Sequence, residues 1–274
     1  MGGMTHDAPP PYDAETLRAD LDLCTVGERF YLKILDQISP AGMSQPSILP
    51  DWSRTHVAMH VVHNAEGFMR LLDWARTGVE NPMYPSRAER DAQIEESAAQ
   101  TSGEDAIAIA HEVVDELADE FAKMAEADWA AEIVSGRGGT ITAAQIPWLR
   151  TREVFVHALD LGIGATTLDF PAAVVDRLLD DIAPIWEKKG VTTHYALRLT
   201  DRDEDRVIRT GAAAAEAVEV TGEAAEVLSF LMGRGWPRSV AARAHSEAAA
   251  GASGLPEADG IRRSYELPAP PAWL

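Results

Sequence analysis

Four stretches within the first 163 residues repeat apolar side chains at helical spacing, and such a succession leaves few folds open besides a helical bundle. In the first, about 13–38, Leu17, Leu21, Cys24 and Phe30 recur on one face, and Ser39-Pro40 stops the run. The second contains DWSRTHVAMHVVHNAEGFMRLLDWARTG, with Ser53 placed to cap its start and Gly78 its end. The turn-rich NPMYPS follows, and then a polar helix from about residue 87. The third long stretch, about 103–127, carries a stripe of Ile107, Ala110, Val114, Leu117 and Phe121. After a turn at 136–139, the fourth runs through IPWLRTREVFVHALDLG to Gly162. Proline lacks an N–H and breaks a helix interior, so Pro147 belongs in the first turn, with the helix starting near Ala144. Trp52, Trp74 and Trp148 are read as anchors of the core.

The pattern changes after about residue 163. LGIGATTLDF reads as a linker and 171–189 as another helix, while HYALRLT, RVIRT and AVEVTG alternate apolar and polar residues as short antiparallel strands. A helix at 223–232 closes on Gly233-Arg234-Gly235, and the tail rich in Ala, Gly, Ser and Pro is expected to lie extended over the surface. The expected fold class is α+β, mainly α. A four-helix bundle spans 10–163, and a small C-terminal α+β domain with a short antiparallel sheet and an extended tail spans 164–274.

A net charge of −20 decides which partners suit such a surface. It repels phosphate backbones and anionic headgroups, so neither nucleic acid nor membrane is an expected partner. Any anionic small molecule would need a local cation to hold it. Cys24 is the single cysteine, which rules out an intramolecular disulfide and suits a reducing compartment. Its place in an apolar stripe makes it a packing residue rather than a nucleophile. The opening MGGMTHDAPPPYD has no apolar core segment, no run approaches the length of a membrane span, and a cytoplasmic protein is expected, working as a monomer.

Residues four apart share a helix face, and two helices use that spacing for metal-ligating types. The second stretch carries His56, His60 and His63, and the fourth carries Glu153 and His157. Either pattern alone arises often by chance on a solvated face. Two on helices that both turn inward could join two imidazoles and one carboxylate around a divalent metal, leaving coordination positions open for chemistry. Spacing does not choose among His56, His60 and His63. Arg152, beside Glu153, could orient a ligand or form a surface ion pair.

The stretches LPDWSRTHVAMHVVHNAEGF, LLDWARTGVENPMY, PWLRTREVFVHALDLG, FLMGRG and the closing PAPPAWL keep their order along nearly the whole chain. Together they resemble the mycothiol-dependent maleylpyruvate isomerases, within the superfamily of DinB-like metal-binding helical bundles. The resemblance implies a DinB-like bundle whose metal, with zinc as the expectation, is held by His60, Glu153 and His157. It implies that Arg234, in the late G-R-G turn, is needed for activity and holds a substrate carboxylate. It further implies mycothiol or another small thiol as cofactor, a small anionic substrate, and cis–trans isomerisation of maleylpyruvate to fumarylpyruvate by reversible thiolate addition. Two alternatives remain: a thiol S-transferase using mycothiol or a thiol such as ergothioneine on another electrophile, and a non-enzymatic binding module.

Overall fold

The structure, a computed structural model, describes residues 13–136, 138–191, 194–203, 206–208, 218–234, 241–244 and 261–263. The chain divides into two compact units, Met1–Ala165 and Thr166–Leu274.

The first unit is built from α1 (Ala14–Leu35), α2 (Arg54–Thr77), α3 (Arg87–Gln100), α4 (Gly103–Ala122) and α5 (Ile146–Asp160), with a hairpin of β1 (Glu132–Val134) and β2 (Thr140–Thr142) before α5. Polar side chains start four of these helices by accepting orphan N–H groups of the first turn: Asp13 for α1, Ser53 for α2, Ser86 for α3 and Ser102 for α4. Gly78 ends α2 with φ of 70°, a left-handed conformation that costs glycine nothing.

α2 and α5 are buried nearly all round, which marks them as the centre of the unit. α1 packs on α5, α4 packs on α2, and α3 lies against α2. The core between them includes Tyr31, Leu35, Val57, Val61, Leu71, Leu72, Leu117 and Val154. α3 is different: among its residues only Ile94 is buried.

Several expectations shift in detail. α1 ends at Leu35 and α4 at Ala122, short of the expected 38 and 127. Beyond α4 the Asp128 carboxylate accepts from the Ala125 N–H at 2.8 Å, and the turn this makes buries Trp129. On α4 the buried position falls to Val113 rather than Val114. Pro147 does sit in the first turn of α5, but a single turn at Ala143–Gln145 delays the helix to Ile146. Trp148 is buried, while Trp52 and Trp74 pack against the core partly exposed.

The deepest polar feature is the Arg150 guanidinium, fully buried on α5. Its Nε and Nη2 donate to the two Glu28 oxygens of α1 at 2.6 and 3.2 Å. Its Nη1 donates to the Val61 carbonyl and to Asn64 Oδ1 of α2 at 2.7 and 2.9 Å. A buried cation is tolerable because its charge is matched and its donors are used.

The second unit holds α6 (Ala172–Lys188), β3 (Tyr195–Leu199), β4 (Arg206–Ile208), β5 (Val218–Gly222), α7 (Ala224–Leu231), β6 (Ala241–Ala244) and β7 (Ile261–Arg263). Its strands form one sheet in the order β4-β3-β5-β6-β7. The expected antiparallel sheet is a mixed one, because β3 and β5 pair in parallel. β4 pairs antiparallel with β3 on one side, and β5, on the other side of β3, runs in the direction of β3. The tail is not wholly extended coil either, since it supplies β6 and β7. Tyr195, Leu197 and Leu199 of β3 and Val218 and Val220 of β5 are buried, as are Leu178, Ile182 and Trp186 of α6 and Leu228 and Phe230 of α7. Among the described residues, no helix is long and apolar enough to cross a membrane.

Replacing Arg150 by Met is expected to cost about 3–5 kcal/mol of unfolding free energy, because Glu28 is left buried without its cation. Making Glu28 apolar as well is expected to recover part of that loss. Urea unfolding of the single and double variants measures both.

Candidate metal centre

α2 delivers His60 and α5 delivers Glu153 and His157 to one point in the first unit, and all three side chains are buried. Their facing atoms form a small triangle. His60 Nε2 lies 2.9 Å from His157 Nε2, and each of these nitrogens lies 3.4 Å from Glu153 Oε2. The two rings meet edge to face, with centroids 4.5 Å apart and planes at 86°. Among the described residues this is the one cluster of three or more His, Cys, Asp or Glu side chains able to hold a metal ion.

The donor set fits a divalent metal. A tetrahedral zinc with ligand bonds of about 2.0–2.1 Å separates its ligand atoms by roughly 3.3 Å. The two histidine–glutamate edges match that spacing, and the 2.9 Å edge is a hydrogen-bond length that a small ring rotation would open. Two nitrogens and one carboxylate oxygen suit zinc and also other divalent ions, and three protein ligands leave positions open.

The outer nitrogens of the two rings differ in kind, and hydrogen-bond partners assign the ring protons. His157 Nδ1 donates to Asp160 Oδ2 at 2.8 Å, and Asp160 is fully buried. That bond fixes the tautomer and turns the Nε2 lone pair toward the centre, as a carboxylate behind a metal-binding histidine does. His60 Nδ1 instead accepts from Arg90 Nη2 of α3 at 3.1 Å, which leaves its Nε2–H to donate to His157.

Charge follows the same asymmetry. Burial pushes the His60 pKa down, the neighbouring His157 adds to this, and the result is about 4, so the ring is neutral near pH 7. Burial pushes His157 down too, but its hydrogen bonds to Asp160 and Glu153 outweigh that and raise it. Burial would raise Glu153, yet the His157 and His60 rings beside its carboxylate hold it well below the usual range.

His56 and His63 point to other tasks. His56 closes the start of α2: its Nδ1 accepts from the Ser53 N–H at 3.2 Å, and its Nε2 lies 3.4 Å from Glu95. His63 contacts α3, with Nε2 2.9 Å from Ser97 Oγ and Nδ1 3.2 Å from Gln93 Nε2, and it also meets Glu66. Trp52 lies 5.7 Å from the His60 ring and forms one wall. Tyr84 stands near both Arg90 and Glu153, and its phenol donates to the His63 carbonyl at 3.4 Å. Arg152 is buried, so a surface ion pair is not its role. Cys24 is buried on α1, where burial pushes its thiol pKa up and leaves it unreactive.

Arg234 lies in the second unit, in the turn after α7. Its N–H donates to the Ser229 carbonyl and its Nη1 to the Met232 carbonyl, each at 3.1 Å. Reading the sequence for ligands passed over Asp160 and Arg90. Asp160 could have been found three residues after His157, on the same helical face. Arg90 gave no such signal, since its contact with His60 spans 30 positions.

Titration of the purified chain is expected to give one divalent ion per chain, and His60→Ala is expected to abolish the binding. Asp160→Asn is expected to weaken metal affinity about 10–100-fold by releasing the His157 ring. A protonated histidine cannot ligate, and the His157 pKa is raised, so affinity falls as pH drops from about 8 to about 6. Competition with a chromophoric chelator at the two pH values checks both effects.

Comparison with known proteins accords with this geometry. No curated protein sequence matches the chain closely enough to count as a relative. Residues 27–162 match the family described as the mycothiol maleylpyruvate isomerase N-terminal domain. A crystal structure of the mycothiol-dependent maleylpyruvate isomerase aligns with a TM-score of 0.77 at 27% identity, covering 93% of this chain and 96% of that one. A variant of that enzyme with one histidine replaced by alanine aligns with the same TM-score and coverage at 26% identity. The region they share holds α2 and α5, with His60, Glu153 and His157, and residues 27–162 of the chain belong to the mycothiol maleylpyruvate isomerase N-terminal domain family.

Proposed function

We propose that the chain is a metal- and mycothiol-dependent isomerase that converts maleylpyruvate to fumarylpyruvate. The observation that carries this reading is the buried triangle of His60, Glu153 and His157 within a domain of that family. When bound, the metal supplies positive charge that keeps a thiol ionised. The thiol supplies reversible addition to the activated double bond, leaving a single bond free to rotate before elimination returns it.

The protein's own groups prepare that chemistry. His157 is held by Asp160 with its lone pair inward, and His60 is kept neutral by burial. Glu153 is ionised and contributes one negative charge, so a divalent ion held there keeps a net positive charge. Burial of the three side chains excludes water and strengthens that field. In a chain of net charge −20, a dianionic substrate binds only where such a local cation exists. On the family resemblance, Arg234 is proposed to hold a substrate carboxylate through a two-pronged hydrogen bond. Zinc is the proposed metal, the working unit is taken as a monomer, and the cytoplasm as its compartment.

Loss of maleylpyruvate absorbance is expected only when metal and mycothiol are both present, with the thiol recovered unchanged. Arg234→Ala is expected to lower kcat/KM about 10–100-fold, the worth of a charge-assisted bidentate contact. A stable thioether in place of recovered thiol would make the protein an S-transferase. No thiol-dependent reaction with the metal-loaded chain would overturn both readings.

A further inference from the structure

Arg90 places a cation directly against the ligand triangle, and its position there calls for a reason. It belongs to α3, the one helix of the first unit that buries a single residue, and its Nη2 reaches 3.1 Å from His60 Nδ1. Its Nη1 pairs with Asp91 at 2.7 Å, but that carboxylate is more than half exposed, and such a pair exchanges readily with solvent. The contact with His60 is possible only while Nδ1 offers a lone pair. Ligation of a metal through His60 Nε2 puts the ring proton on Nδ1, and two N–H groups then face each other. The guanidinium loses its acceptor at the moment the centre gains positive charge.

Two further facts bear on what the released donor can meet. The same His60 ring touches Arg90 at its outer nitrogen, 3.1 Å away, and Glu153 at its inner one, 3.4 Å away, so one ring width separates the guanidinium from the ligand carboxylate, and Tyr84 stands near both. Arg90 is only partly exposed, its side chain at 25%, so its guanidinium is held against His60 instead of extending into solvent. A divalent ion, the Glu153 carboxylate and the Arg90 guanidinium together carry two positive charges, which a dianion neutralises.

We infer that Arg90 is a carboxylate anchor of the metal centre, binding one end of a small dicarboxylate whose other end lies toward the metal. For the identity of that dicarboxylate the inference rests on the proposed isomerase reading. The anchor itself can be tested apart from turnover, with maleate, a cis-dicarboxylate, as probe. Calorimetry on the metal-loaded chain is expected to show maleate binding that weakens about 10–100-fold in Arg90→Gln, as loss of a two-pronged charged contact does. Arg90→Lys is expected to recover part of the affinity, since the charge returns without the planar fork. Arg87→Gln, an exposed charge on the same helix, is the control and is expected to leave binding unchanged. Metal content is expected to stay at one ion per chain in all three. Maleate affinity within about twofold of the parent in Arg90→Gln, or no maleate binding to the metal-loaded parent, overturns the anchor. If the parent binds maleate through Arg90 yet never turns over maleylpyruvate, the isomerase reading fails and the anchor stands. If turnover proceeds and Arg90→Gln leaves KM unchanged, the anchor fails and the isomerase reading stands.

Discussion

Everything at the metal centre depends on how α2 and α5 are held against each other, and two arginines hold them. Arg150 of α5 donates to the carbonyl of Val61, the residue after His60, and to Asn64 one turn further on. Arg54, the first residue of α2, donates through Nε to the Leu161 carbonyl just past the end of α5. The pair therefore runs antiparallel, tied near both ends of the segment that carries His60. A slip of one turn would move a helical side chain by about 5.4 Å, far more than the 2.9 and 3.4 Å edges of the ligand triangle can absorb. The Glu28–Arg150 pair thus matters to function through register, because its guanidinium has both the charge and the spare donors to span three helices.

The two imidazoles at the centre are not equivalent. His157 has an anion behind it and His60 a cation. A carboxylate behind a ring raises its basicity and orients it for ligation, whereas a guanidinium donor at the outer nitrogen holds the ring in the opposite tautomer. His157 and Glu153, one turn apart on α5, form the prepared half of the site. To ligate a metal through Nε2, His60 would have to move its proton to Nδ1, which would couple metal binding to the placement of Arg90. A single ring contact so links the metal to α3.

Much of the bundle was legible because helices longer than 14 residues repeat their period several times and carry caps that side chains announce, such as Ser53 and Gly78. β1 and β2 were not, since three residues are too few to show alternation and only the turn between them left a trace. The parallel pairing of β3 with β5 was equally hidden, because alternation records which face is buried and says nothing of a neighbour's direction. At the site, spacing brought out five positions on two helices and could go no further. His56, His60 and His63 lie close on the same helix, and what separates them is tertiary: one caps α2, one meets α5, one contacts α3.

α3 shows why the least secured element can carry specificity. Its sequence is polar, its single buried residue is Ile94, and its ties to α2 include contacts of Arg90, Gln93, Glu95 and Ser97 with histidines. Burial of one isoleucine stabilises by only about 1.5–3 kcal/mol, so those polar contacts are a large share of what seats the helix. Segments that must admit a ligand are drawn from the weakly held part of a fold. A change in the His60 proton alters one of α3's few attachments, while α2 and α5, fixed by Arg54 and Arg150, keep the ligand triangle in place.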